Sequence, residues 1–221
     1  MPPRVKVCGL TNLDDAARAV DLGAWALGMV FWPSSPRRCP HDEAARIAAA
    51  MRRRAELVGV FVDAHLDTVA RAADELSLTM LQLHGDEGPS YCAEAARRTG
   101  CKIIKAAKVR TQADLRSLRP YHTDFHLLDS GSPALPGGTG TTWDWSLVNE
   151  LTGGVPVIAS GGLTPDNVTD AIRAVRPYAV DTASGTESAP GSKDPAKLEA
   201  FFAAAHQGSS LSLPHRDPVR Q

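Results

Sequence analysis

The chain has almost no net charge, no long apolar run and no ordered set of cysteines, and each absence removes a class of function. Its 24 lysine and arginine side chains nearly balance 25 aspartates and glutamates, for a formal net charge of -1. No global positive field exists to gather nucleic acid or an anionic membrane, so a charged ligand has to be held by local groups. No apolar stretch approaches the ~18 residues of a membrane span. The opening Met1-Pro2-Pro3-Arg4 leads into a strand pattern without an export signal. The four cysteines, Cys8, Cys39, Cys92 and Cys101, fall at no metal-ligand spacing, and a chain of 221 residues has core enough to need no disulfide staples. Reduced thiols, no metal, no nucleic-acid or membrane partner and a cytoplasmic setting are the resulting expectations.

What is present is alternation. Short β-branched runs and amphipathic segments follow one another every ~20 to 30 residues, the signature of repeated βα units. Leu13, Ala16, Ala17 and Val20 stand at i, i+3, i+4 and i+7 and give one helix an apolar face. Strands are predicted at Val5 to Cys8, Ala26 to Phe31, Leu57 to Val62, Thr79 to Leu83, Lys102 to Ala106, Phe125 to Leu128, Val155 to Ala159 and Ala179 to Val180. Helix starts are predicted near Pro89, Thr111, Thr142, Thr164 and Asp194, where side-chain oxygens or a proline suit a first turn. Eight such units close a parallel sheet into a single (β/α)8 TIM barrel; an open doubly wound sheet is the alternative. The barrel is expected to occupy residues 1–206. From Gln207 to Gln221 periodicity is lost, which reads as a disordered tail.

Two strand ends carry groups suited to moving protons. Cys8 closes the first strand, and Asp129 closes the sixth. In a barrel these ends share one mouth, so a thiol and a carboxylic acid could flank one substrate. Taken singly, a strand-end cysteine is more often a packed small hydrophobe, and an aspartate after a strand more often a turn residue. Glycine pairs at Gly137-Gly138-Thr139-Gly140 and Gly161-Gly162, each leading toward a helix, together with Ser184-Gly185, offer backbone N–H groups to an anion. The arginine run Arg52-Arg53-Arg54 reads as a solvated helix end, and Trp143 and Trp145 as packing residues.

Lys6-Val7-Cys8-Gly9-Leu10-Thr11, Gln82-Leu83-His84-Gly85, Gly137-Gly138-Thr139-Gly140, Ser160-Gly161-Gly162-Leu163, Val180-Asp181 and Ser184-Gly185 occur in this order. With these motifs the chain resembles the phosphoribosylanthranilate isomerase family from about Lys6 to Phe202. The resemblance implies a TIM barrel that performs an Amadori rearrangement, aminoaldose to aminoketose, in tryptophan biosynthesis without metal or organic cofactor. It implies Asp129 as general acid and Cys8 as general base. It further implies Arg37 as partner of the substrate carboxylate, Gln82, His84 and Asp181 as substrate-binding residues, and Gly138, Gly140, Gly161, Gly162, Ser184 and Gly185 as the phosphate site. The implied partner is a small phosphosugar, bound by a monomer or homodimer.

Thr141, Thr182-Ala183 and Arg38-Cys39 depart from the family pattern. Two rival readings are the related histidine-pathway isomerase and a non-catalytic phosphosugar-binding barrel. The first resembles a two-carboxylate design, against which a thiol at position 8 argues. The second would release its acid and base early, and both are present.

Overall fold

Side chains alternate inward and outward along each strand, because successive residues of an extended chain face opposite sides of a sheet. In the computed structural model, which describes residues 3–129 and 154–210, this alternation closes into a barrel of parallel strands in chain order. The strands are β1 (Arg4–Cys8), β2 (Ala26–Val30), β3 (Glu56–Phe61), β4 (Met80–Leu83), β5 (Lys102–Lys108), β6 (Phe125–Asp129), β7 (Val157–Ser160) and β8 (Ala179–Thr182). β8 returns to pair with β1, setting Val5 opposite Val180 and Lys6 opposite Asp181. That last pairing rules out the open sheet.

Two apolar layers result. Ala26, Val58, Met80, Ile104, Leu127, Ile158 and Ala179 fill the barrel. Val5, Val7, Leu27, Leu57, Leu81, Ile103, Leu128 and Val180 face outward beneath the helices. Those helices are α1 (Leu13–Asp21), α2 (His41–Met51), α3 (Leu66–Glu75), α4 (Pro89–Thr99), α5 (Gln112–Ser117), α6 (Val168–Val175) and α7 (Pro195–Ser210).

Local chemistry sets the helix ends. The Asn12 side chain accepts the Asp15 N–H at 2.8 Å and starts α1. Pro89 opens α4, and Gly100 closes it in the left-handed region at φ 69°. Thr111 and Asp114 form a reciprocal capping box on α5. Asp194 accepts the N–H groups of Ala196 and Lys197 at 2.9 and 3.1 Å and begins α7.

Three sequence expectations are corrected. α6 begins at Val168 rather than near Thr164: residues 164–167 form a lead-in turn in which the Thr164 carbonyl accepts the N–H groups of Asn167 and Val168 at 3.3 and 3.1 Å and the Asn167 side chain accepts the Thr164 N–H at 2.8 Å. β7 begins at Val157 rather than Val155, since Pro156 has no N–H to give a ladder, although its carbonyl accepts from His126 at 3.0 Å. α7 runs through Gln207 to Ser210, beyond the expected end of the barrel at 206; Gly208 packs against Ile172, 3.2 Å from where a Cβ would lie. The remaining tail and the expected helix start at Thr142, with Trp143 and Trp145, lie outside the described residues.

Between β8 and α7 the chain adds a 3-10 turn (Ser184–Thr186) and a small antiparallel hairpin of β9 (Glu187–Ala189) and β10 (Ser192–Lys193). Sequence reading did not anticipate it, although Pro190-Gly191 is a turn signal.

Candidate active site

A parallel barrel brings every strand's C-terminal end to one rim, the rim where such barrels carry their ligand-contacting groups. β1 delivers Cys8 there, facing inward and buried. Its register partner on β2 is Gly28, and a Cβ on Gly28 would stand only 2.7 Å from the Cys8 sulfur. Glycine at this position is what gives the thiol its space.

β6 delivers Asp129 to the same rim. It stands in register with Lys108 of β5 on one side and Ser160 of β7 on the other. From Ser160 a continuous set of contacts runs back to β1: the Ser160 hydroxyl donates to Asp181 Oδ2 at 3.0 Å, and Lys6 Nζ donates to Asp181 Oδ1 at 2.7 Å. Lys6 lies two residues below Cys8 on the same inward face and is fully buried. The thiol and the carboxyl group thus end strands that are joined through β7 and β8.

The electrostatics of the thiol side follow from these neighbours. Burial pushes the Cys8 thiol up, while Lys6 pulls it down, Asp181 pushes it up again and Lys193 pulls it down; burial prevails. Burial alone would lower Lys6, but Asp181 and Cys8 outweigh it and hold the ammonium above the ordinary lysine range. Cys39, beside two arginines in sequence, is a different kind of thiol. Burial, Glu43 and Asp42 push it up to about 12, so it is an unreactive core group.

Gln82 and His84 both come from the end of β4. The amide Nε2 of Gln82 lies 2.9 Å from His84 Nδ1, and His84 Nε2 lies 3.7 Å from Asp129 Oδ2. The loop carrying His84 is pinned from behind. Buried Lys105 donates to Glu87 Oε2 at 2.9 Å and to the Gly85 carbonyl at 2.6 Å, and Glu87 accepts the N–H groups of Asp63 and Gly85, each at 2.9 Å.

Arg37, in the loop after β2, lies across Gly9. A Cβ on Gly9 would meet Arg37 Cδ at 2.8 Å, and Gly9 also adopts φ 75°, a region that favours glycine. The guanidinium is forked by Glu187: Nε donates to Oε1 and Oε2 at 2.8 and 3.0 Å, and Nη2 donates to Oε2 at 2.7 Å. The hydrogen bonds to Glu187 hold Arg37 above its ordinary range. Burial opposes ionisation of Glu187, but Arg37 and Lys193 outweigh it and keep the carboxylate below its usual range. Glu187 and Lys193 are the site residues that sequence reading missed.

The glycine loops after β7 and β8 meet. Gly161 and Gly162 have φ of 93° and 66°, and the backbone at Gly185 approaches so closely that a Cβ there would overlap the Leu163 carbonyl, 1.9 Å away. Thr182, one of the departures from the family pattern, ties the same two loops by donating to the Leu163 carbonyl at 3.3 Å. Ser184 follows at the start of the 3-10 turn. Gly138, Gly140 and Thr141 lie outside the described residues. Asp181 is brought into the barrel and engaged by Lys6 and Ser160, beneath the rim.

With this geometry in place, comparison with known proteins is specific. A family model for N-(5'phosphoribosyl)anthranilate (PRA) isomerase matches residues 5–204. The N-(5'-phosphoribosyl)anthranilate isomerase of Geobacter metallireducens is 45% identical over 202 residues, 91% of this chain and 98% of the relative. The crystal structure of phosphoribosyl anthranilate isomerase from Thermotoga maritima superposes with a TM-score of 0.85 at 39% identity, covering 92% of this chain and 98% of that one. A further solved isomerase, in complex with reduced 1-(o-carboxyphenylamino)-1-deoxyribulose 5-phosphate, gives a TM-score of 0.82 at 37% identity over 92% of this chain and 98% of that one. The barrel, the order of its motifs and these likenesses agree, and the chain belongs to the N-(5'-phosphoribosyl)anthranilate isomerase family.

Proposed function

We propose that this chain converts N-(5-phosphoribosyl)anthranilate to 1-(2-carboxyphenylamino)-1-deoxyribulose 5-phosphate in tryptophan biosynthesis, with Asp129 as general acid and Cys8 as general base. The observation that carries the reading is the shared rim: Cys8 and Asp129 end β1 and β6, Asp129 stands in register with Ser160, and hydrogen bonds of Ser160 and Lys6 to Asp181 tie β7, β8 and β1 together between them. Ring opening needs a proton on the ribose ring oxygen, and Asp129 gives it. The C1′–O bond breaks, leaving a protonated imine whose positive nitrogen acidifies the C2′ hydrogen. The Cys8 thiolate removes that hydrogen as a proton. The enolamine then loses its O2′ proton and gains one at C1′, giving the ketone. Oxidation at C2′ balances reduction at C1′, so the electrons stay within the substrate.

The same reading gives the remaining groups their tasks. Arg37, held by Glu187 along its Nε edge, turns its remaining donors to the substrate carboxylate. Gly161, Gly162, Ser184 and Gly185, with Gly138 and Gly140, take the phosphate. Gln82 and His84 line the acid side, and Asp181 anchors Lys6 beneath the thiol. Because burial favours the protonated thiol in the free protein, the working form, thiolate on Cys8 with the proton on Asp129, is one that bound substrate selects. All of these residues come from one chain, so a monomer and a homodimer both suit the site. Four free thiols support a reducing compartment, the cytoplasm.

Freshly prepared phosphoribosylanthranilate mixed with the purified chain tests the proposal. Substrate fluorescence is expected to fall well above the spontaneous rate. A decay equal to the spontaneous rate, with phosphate compounds still bound, would instead support the non-catalytic binding barrel.

A further inference from the structure

Lys193 and Glu187 lie outside the barrel strands, yet they touch three parts of the site at once. The buried Lys193 ammonium donates to the Cys8 carbonyl at 2.7 Å and to the Ala183 carbonyl at 3.0 Å, and stands 3.3 Å from Glu187 Oε1. Glu187 forks Arg37 and accepts the Gly191 N–H at 3.3 Å. The hairpin is tied back to β1's neighbourhood as well. Asp15 accepts the Lys193 N–H at 2.8 Å, and the Thr11 hydroxyl donates to the Gly191 carbonyl at 2.5 Å. A hairpin that only had to pack would be served as well by an apolar side chain, since burying an ion pair is costly. Here the buried charge is aimed at the backbone of Cys8 and at the residue preceding Ser184.

We propose that Lys193 and Glu187 form a positioning pair that sets the Cys8 thiol, the Arg37 guanidinium and the Ser184 loop in register with one another. The proposal rests on the roles given above to Cys8 and Arg37. One buried contact would then fix the distance between the proton-abstracting sulfur and the arginine that grips the far end of the substrate. It also carries charge. Among the described residues, the charged groups facing Cys8 are Lys6 of its own strand, Asp181 of β8, Lys193 of β10 and Arg37 of the loop after β2. Lys193 favours the thiolate, so removing it raises the pH at which Cys8 loses its proton.

The test uses Lys193→Met and Lys193→Arg in the full chain. Alkylation of Cys8 by iodoacetamide is followed against pH by peptide mass, with N-acetylcysteine in the same mixture as the reference thiol, beside kcat and KM. Lys193→Met is expected to move Cys8 alkylation to higher pH and to lower kcat about 100-fold with a far smaller change in KM; Lys193→Arg restores the alkylation profile. A Lys193→Met profile that superposes on the parent's overturns the proposal. If that variant does not fold, Glu187→Gln carries the same test: a KM raised about tenfold supports the pair and an unchanged KM overturns it. Alkylation reads the sulfur without turnover. A parent chain inactive on phosphoribosylanthranilate whose Cys8 still responds to Lys193→Met would sink the functional reading alone.

Discussion

The two rims of this barrel are built on opposite principles. At the N-terminal end, Trp25, Phe125 and Tyr178 form a mutual cluster with ring centroids 5.1 to 5.6 Å apart. Arg4 lies 4.7 Å from the Tyr178 ring and 5.6 Å from that of Trp25, and its guanidinium also bonds the Tyr178 hydroxyl. That end is a plug, stabilised by area, edge-to-face contact and one cation over aromatic faces. The C-terminal end carries a thiol, the carboxylates of Asp129, Asp181 and Glu187, buried lysines and glycines at close backbone approaches. None of these is the best choice for stability, and their tolerance depends on partners such as Lys6 with Asp181 and Lys193 with Glu187. One rim holds the sheet together so that the other can keep reactive groups apart at defined distances.

Substitutions that separate stability from turnover sharpen this contrast. Phe125→Ala at the plug is expected to cost about 3–5 kcal/mol of unfolding free energy, read by denaturant titration, with kcat per folded molecule unchanged. A large kcat loss there would show that the rims are not independent. At the opposite end, Gly28→Ala pushes a methyl group into the Cys8 sulfur, and kcat should fall about 100-fold while the folded state persists. Arg37→Lys replaces the fork by a single point charge. KM should rise about tenfold, ~1.4 kcal/mol, with kcat little altered. The smallest effect lies at neither rim: Thr111→Ala removes one side of the α5 capping box and should cost ~1 kcal/mol with both kinetic constants intact.

The pH dependence carries a sign of its own. Because burial holds the Cys8 thiol above the ordinary cysteine range, and only the thiolate alkylates, the rate of Cys8 alkylation in the free chain should rise at a higher pH than for an exposed cysteine. Lys6→Met removes a group that favours the thiolate and should move the rise higher still. A lower midpoint in that variant would contradict the electrostatics described for the site.

Much of this architecture was legible because its signals are local. Period-two alternation and turn residues located the eight strands to within about two residues at most ends, and a residue that closes an apolar run points where the strand points. That is why Cys8 and Asp129 could be placed at one rim before any coordinates. Glu187 and Lys193 could not. Lys193 meets Cys8 across 185 residues and Glu187 meets Arg37 across 150, and no periodicity encodes a contact of that range. Arg37 was expected with its guanidinium toward a ligand, yet nothing in its own segment announces that Glu187 already occupies one edge. Thr164-Pro165 misled only in detail: it does open a turn, but the regular helix starts at Val168, with Asn167 as the residue before it.

The most direct measurement of the central claim is the single-turnover decay of phosphoribosylanthranilate fluorescence in the parent, Cys8→Ser and Asp129→Asn chains, each shown to be folded and to bind the reduced product analogue. Positioned acids and bases contribute about 10²- to 10⁴-fold, so both variants should lose at least about 100-fold of the parent's rate while retaining the ligand. Decay at close to the parent's rate in either one would contradict the account.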